Sequence, residues 1–210
     1  MKYKLPVIFF TTLVSSCATT YVPDNFYVYQ EKHEVIAIVP FNVTITNQNQ
    51  GRGVTPQDLK IEAASFSKVF QSEVYSQFLQ RASKNKYTVS FQDVSDTNVI
   101  LERNDALDDS GKVLLTKKEL AVLLKVDAIL SGSLVVSKPM SGGAAVASAL
   151  IFGYASTNEV TANVSIHDGD SGELVWNYDH EMQGGLFSSP ISVAETLMDD
   201  ISWKFPYKRE

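Results

Sequence analysis

The chain is poor in the residues that many functional classes need: of 210 positions, 1 is cysteine, 3 are histidine, 7 are proline and 11 are glycine. A lone cysteine excludes an intramolecular disulfide framework and a cysteine-based zinc cluster. So little proline and glycine, beside 44% apolar residues, excludes collagen-like, low-complexity and disordered chains. Positive charge is scarce as well. Lys and Arg number 18 against 24 acids, a formal net charge of -6, which leaves no electrostatic footprint for nucleic acid. What remains is the composition of a globular protein, of a length that predicts one domain after any targeting segment is removed.

The one cysteine stands at an informative place. Lys2 and Lys4 form a positive region, Leu5 to Val14 an apolar one, and Ser15 and Ser16 a small-residue site, the order of an export signal. The apolar stretch is far shorter than the about 20 residues of a spanning helix. Val14-Ser15-Ser16-Cys17 resembles the bacterial lipobox, in which the cysteine sulfur is joined to diacylglycerol before cleavage between Ser16 and Cys17. Residues 1–16 are thus expected to be a signal peptide and Cys17 a lipidation site. Several acyl chains (palmitate among them) would hold the protein on a membrane, where one chain would bind only marginally. Ala18 occupies the position where Asp retains many lipoproteins in the inner membrane, so the expected location is the periplasmic face of the outer membrane. The mature chain would carry 16 basic and 24 acidic residues, a net charge of -8. Attachment to an anionic lipid surface then falls to the acyl groups.

Residues 17–33 read as a lipidated tether without periodicity, rich in Tyr and Phe, whose rings either lie on the domain or dock a partner. Residues 34–210 read as a single periplasmic domain. Val35 to Val39 is a continuous apolar run, as expected of a strand buried on both faces, and Phe41 to Thr46 extends it. Thr55, Pro56 and Asp58 predict a helix start. Leu59, Ala63, Phe66, Phe70, Val74 and Phe78 then recur on one face, with Leu79 and Ala82 beside them, to an end near Asn85. Tyr87 to Phe91 predicts a strand, Asp93 or Ser95 the cap of a short helix to Arg103, and Thr116 with Glu119 a capping box. Ala128 to Ser137 and Glu159 to His167 predict strands. Glu173 to Met182 pairs back as a hairpin across an Asp168 to Gly172 turn, and Ser189-Pro190 opens a last helix stopped by Pro206. The fold class expected is α/β or α+β: helices on a mixed sheet whose C-terminal hairpin forms an antiparallel edge.

Three segments combine chemical potential with a plain structural role. In the hairpin, His180 is expected opposite Thr161 and His167 opposite Leu174, too far apart for a shared metal, so solvated strand histidines are the default. Asp168-Gly169-Asp170-Ser171-Gly172-Glu173 begins like a calcium loop but has Gly172 and Glu173 where a ligand and glycine are required, and reads as a turn. Gly51-Arg52-Gly53 could line an anion site but reads as a loop. No nucleophile elbow, metalloprotease pair, phosphate loop or dinucleotide fingerprint occurs, so neither catalytic residues nor a cofactor or metal is expected.

A strand ending in Val39-Pro40-Phe41, a long helix, Val126-Asp127-Ala128-Ile129-Leu130-Ser131-Gly132-Ser133, and a late hairpin with Ser171-Gly172-Glu173-Leu174-Val175-Trp176 together resemble the curli-export lipoprotein superfamily and related small envelope lipoproteins, over Glu34 to Phe205. The resemblance implies a non-enzymatic scaffold or accessory factor of an envelope assembly, secretion or transport system. Its partners would be the membrane, through the anchor, and another protein or further copies of itself. An oligomeric export-channel subunit and a peptidoglycan-synthase activator are the alternatives it implies. Against the channel, a barrel needs about 9 to 11 alternating residues per strand. The apolar insertion at 142–155, with Gly142, Gly143, Leu150, Ile151, Phe152 and Tyr154, does not alternate. These residues are expected either to pack on the body or a second subunit, or to contact membrane or partner.

Overall fold

The computed structural model describes residues 18–47, 55–84, 86–138, 158–184 and 189–209. Within them lie seven strands and five helices, in the order β1 (Ala18–Tyr21), α1 (Phe26–Lys32), β2 (Val35–Ile38), β3 (Asn42–Asn47), α2 (Pro56–Ala82), β4 (Ser90–Phe91), α3 (Val94–Arg103), α4 (Lys117–Leu124), β5 (Ala128–Lys138), β6 (Asn158–Asp168), β7 (Leu174–Gly184) and α5 (Pro190–Lys204). All strands join one mixed sheet of order β1-β7-β6-β5-β2-β4, with β3 pairing β5 beyond the end of β2. β2 runs parallel to β4 and β5, and β3 parallel to β5, whereas β5-β6, β6-β7 and β7-β1 are antiparallel. The fold is thus the mixed α/β architecture that the sequence predicts.

Local chemistry explains the helix boundaries. The Thr55 hydroxyl accepts from the Asp58 amide while the Asp58 carboxylate accepts from the Thr55 amide, and Thr116 with Glu119 and Ser189 with Ser192 repeat the arrangement. Asp93, the earlier of the two expected caps, accepts from the Ser95 amide. α2 ends at Ala82, one turn before the expected Asn85. Its turns bury Phe66, Phe70, Val74 and Phe78, while Leu79 is left exposed.

Helices cover the sheet on two sides. Ile36 and Ile38 of β2 face a large core with α2 and α5, and Ala37 and Val39 face a smaller one with α3 and α4. This is why β2 reads as an unbroken apolar run. The antiparallel half is covered more completely on one face than on the other. Val160, Ala162, Val164 and Ile166 point into the large core, and the alternating Thr161, Asn163 and Ser165 point the other way. Gly132 lies where β5 passes closest to its neighbours. A Cβ at that position would run into the Asn163 carbonyl oxygen and the Phe41 ring.

Two expectations are corrected. The 18–33 stretch is not an aperiodic linker: it forms β1 and α1, with Phe26 buried against Tyr207 at 5.0 Å between ring centres. β1 also covers β7, so the hairpin is not the sheet edge. Four residues are too few for a period-two signal, and their pairing partner lies about 160 positions away in the chain. Secondly, β6 and β7 pair with His180 opposite Ala162, one residue from the expected Thr161, although His167 does face Leu174. A bulge between Ile166 and His167 leaves Val175 as the extra residue and shifts the rest of the ladder.

Candidate functional site

Register places the chain's connections at two ends of the sheet. Ala18 is level with His180, which faces Ala162, which faces Leu134. β1 begins here, near mid-length of the long strands and four residues short of the end toward which β3, β5 and β7 run, finishing at Asn47, Lys138 and Gly184, and from which β6 starts at Asn158. Ser16 and Cys17, the expected cleavage and lipidation residues, lie outside the described residues, as do Gly51 to Gly53 and Gly142, Gly143, Leu150, Ile151, Phe152 and Tyr154. What the structure does show is their points of attachment. Ala18, one residue after Cys17, is already hydrogen-bonded into the sheet and packed against the core. The 139–157 stretch joins Lys138 to Asn158, four residues along the strands from the level of Ala18.

The opposite end carries a buried polar network. From β1 the chain crosses beneath the β6-β7 turn as α1 and enters β2. At the crossing, His33 shares a hydrogen bond of 2.6 Å between Nδ1 and the Tyr207 hydroxyl, and one of 2.9 Å between Nε2 and Asp168 Oδ1. Lys32 Nζ donates to the same Asp168 oxygen at 2.6 Å and reaches Asp170 at 2.9 Å. The other Asp168 oxygen accepts from the amide and the hydroxyl of Ser171, both at 2.7 Å, closing the turn in which Gly172 adopts φ +79°. Tyr29 donates to Glu173, and Asp127 Oδ2 accepts the amides of Glu34 and Val35. Burial acts to raise the Asp168 carboxyl, but hydrogen bonds from His33, Lys32 and Ser171 outweigh it and hold it well below the usual carboxylate range. Burial, with Asp168 nearby, pushes the Tyr207 hydroxyl up.

Tyr, His and Asp in hydrogen-bonded sequence resemble a proton relay. The geometry argues for a clamp instead: the side chains of His33 and Asp168 are 0% and 1% exposed, so no substrate atom can approach either. The two strand histidines, expected to be solvated, are half-buried. His180 lies beside Tyr178 and Asp200, with Lys204 donating to Asp200 at 2.7 Å. His167 keeps a buried Nδ1 without a partner among the described residues. Those residues contain no group of three His, Cys, Asp or Glu placed to hold a metal. No described helix is long and apolar enough to cross a membrane.

Burial first, and then the Lys117 ammonium, push the His167 imidazole down to about 4. The folded protein therefore refuses a proton that the unfolded chain accepts below about pH 6.5. Stability is full above that value and falls as the pH drops toward 4. Between pH 6.5 and 5 the loss from this group is roughly 1–2 kcal/mol. Urea unfolding at the two pH values should show a smaller drop in His167→Leu than in the parent, and an equal drop would disprove the assignment.

No protein-family model matches the chain, and no curated protein matches it. Similar solved structures exist. The PelC dodecamer from Paraburkholderia phytofirmans is 13% identical at a TM-score of 0.40, over 89% of this chain and 94% of that one. Lipoprotein GNA1162 from Neisseria meningitidis is 11% identical at 0.45, over 81% and 96%. The LpoB C-terminal domain from Salmonella enterica is 10% identical at 0.35, over 71% and 82%. One of these is described as a lipoprotein.

Proposed function

We propose that this chain is a non-enzymatic lipoprotein, anchored through Cys17 in the outer membrane with its body on the periplasmic side, serving as a scaffold or accessory factor of an envelope assembly, secretion or transport system. The observation that carries the reading is the strand that starts at Ala18. A lipid on Cys17 is then separated by one peptide bond from the sheet, and the body is held at the bilayer without a flexible spacer. Such a mount suits a part whose position relative to the membrane matters, and it is superfluous for a diffusing enzyme. Residues 142–155 connect Lys138 to Asn158 beyond the level of Ala18, so Leu150, Ile151, Phe152 and Tyr154 are the proposed contacts with membrane, partner or a second copy.

The test is fractionation of cells labelled with palmitate. The parent protein should carry label and pellet with outer membranes through a high-salt wash, and Cys17→Ser should be unlabelled and released. If Cys17→Ser still pelleted after the wash, the lipid anchor would be wrong. Crosslinking and capture from the same cells would then identify the assembly.

A further inference from the structure

At the end of the molecule away from Ala18, the C-terminal segment and the loop after α2 enclose a pocket of about 270 Å³ lined by Arg81, Lys86, Tyr87, Trp203, Lys208 and Arg209, with Ser202. The lining has four cations and no acid, in a chain where acids outnumber bases 24 to 18. Arg81 is committed to Asp199 at 3.1 Å and to Gln77. The others are not neutralised by any described residue. Lys86 has no hydrogen bond or ion pair of its side chain among the described residues. Arg209 donates Nε to the Tyr87 carbonyl at 2.8 Å and keeps its terminal nitrogens, and Lys208 lies 5.6 Å from the centre of the Trp203 ring, donating to the Trp203 carbonyl. Burial, and repulsion by Lys86, both act to lower Lys208, as two ammonium groups crowded without a counter-ion must.

Two further features point to a ligand. Trp203 is 80% exposed, the most open large apolar side chain among those described, and forms one wall. Tyr87, another lining residue, is only 5% exposed and its hydroxyl has no partner among the described residues. The indole face not covered by Lys208 offers a platform for the C–H face of a sugar ring. The adjacent ammonium and guanidinium groups are donors for a carboxylate or phosphate on that ring. The volume lies just below the range of ~300–1,000 Å³ typical of ligand pockets, enough for a ring and its substituent rather than a protein surface.

We propose that this pocket binds an acidic sugar unit, carboxylated or phosphorylated, of a periplasmic saccharide, with Trp203 stacking on the ring and Lys86, Lys208 and Arg209 holding the anion. That the saccharide is a periplasmic one rests on the anchor reading above. The binding itself does not depend on the anchor, and fractionation of Cys17→Ser tests the anchor separately.

The experiment is a titration of the detergent-solubilised full chain with tetragalacturonate, followed by tryptophan emission. Of the two tryptophans, Trp176 is fully buried, so Trp203 alone can respond to a ligand or to acrylamide quenching. A saturable change that protects Trp203 from acrylamide and weakens with salt is expected. Lys86→Gln, which removes no contact of the fold, should weaken binding several-fold, and Lys86→Gln with Lys208→Gln about tenfold or more. Calorimetry on Trp203→Ala should show a loss of about tenfold, and neutral maltotetraose should not bind. The proposal is overturned by absence of a saturable response, by equal affinity in the lysine variants, or by tetraglutamate or phosphatidylglycerol vesicles binding more tightly than the saccharide. It is equally overturned if binding appears only in Glu210→Gln, which would give the pocket to the chain's own terminus.

Discussion

Asp168→Ala is expected to lower stability by about 3–5 kcal/mol, because it removes the buried acceptor shared by Lys32, His33 and Ser171 and leaves His33 and Ser171 without a partner for their donors. Lys32, with a side chain 40% exposed, can turn toward Asp170 or water. His33 has no such escape: its Nε2 loses its acceptor in a fully buried position, and the amide and hydroxyl of Ser171 lose theirs in the turn. Equilibrium urea unfolding should show the drop with an unchanged m-value, and the melting temperature should fall by about 10 °C. Asp168→Asn keeps the shape and one acceptor oxygen, and should cost less. The contribution also has a definite pH signature. Asp168 titrates below the ordinary carboxylate range when folded, so its stabilisation is complete above about pH 4 and disappears on further acidification. A difference between parent and Asp168→Ala that stayed constant from pH 7 to pH 2 would contradict this account. The loss should also loosen α1 and β1, making the peptide bonds near Lys32 accessible to trypsin. The body would then hang on a flexible leader, which in the proposed role breaks its fixed mount.

The second large effect is expected at Phe78. It is 1% exposed and sits at 4.5 Å from Phe91, 4.9 Å from Phe205 and 5.9 Å from Tyr87, ring centre to ring centre. One side chain of α2 thereby ties together β4, the segment after α5 and the loop between α2 and β4. Truncation to alanine removes the ring and leaves a cavity that three neighbouring rings cannot fill, a cost of about 3–5 kcal/mol. Leu79, the next residue, is 42% exposed, and Leu79→Ala should change stability by less than about 0.5 kcal/mol. Thermal unfolding of the two variants side by side provides the check, and similar losses for both would refute the packing described here. Because Phe78 and Tyr87 touch, Phe78→Ala should also disturb the basic pocket beside Trp203.

Much of this architecture is legible in the amino-acid order because it is written in local chemistry. Thr55-Pro56 with Asp58, Thr116 with Glu119, and Ser189-Pro190 announce helix starts through caps that depend on residues three apart. The spacing of Phe66, Phe70, Val74 and Phe78 marks the buried face of α2, and Val35 to Val39 marks a strand covered on both sides. The hairpin is visible for the same reason, but its register is not. The extra Val175 that moves His180 from Thr161 to Ala162 is a one-residue bulge with no local signature.

Long-range pairing decided the rest. Asp168 reads as the start of a turn, and it is one. That its two oxygens also receive Lys32 and His33, some 135 positions earlier, follows only from α1 passing under that turn. Likewise, Lys86 and Lys208 are unremarkable singly and become a cationic pocket only because the C-terminal segment pairs with Tyr87. By itself the sequence determined the expectation of a lipid anchor at Cys17, the helix starts, the buried strands and the mixed α/β class, each set by residues within a few positions of one another. The tertiary structure decided that the residues after Cys17 are a strand and not a spacer, that His33 is buried and His167 and His180 half-buried, and which charges meet. Those outcomes depend on backbone hydrogen bonds and desolvation between segments distant in the chain, which no local pattern encodes.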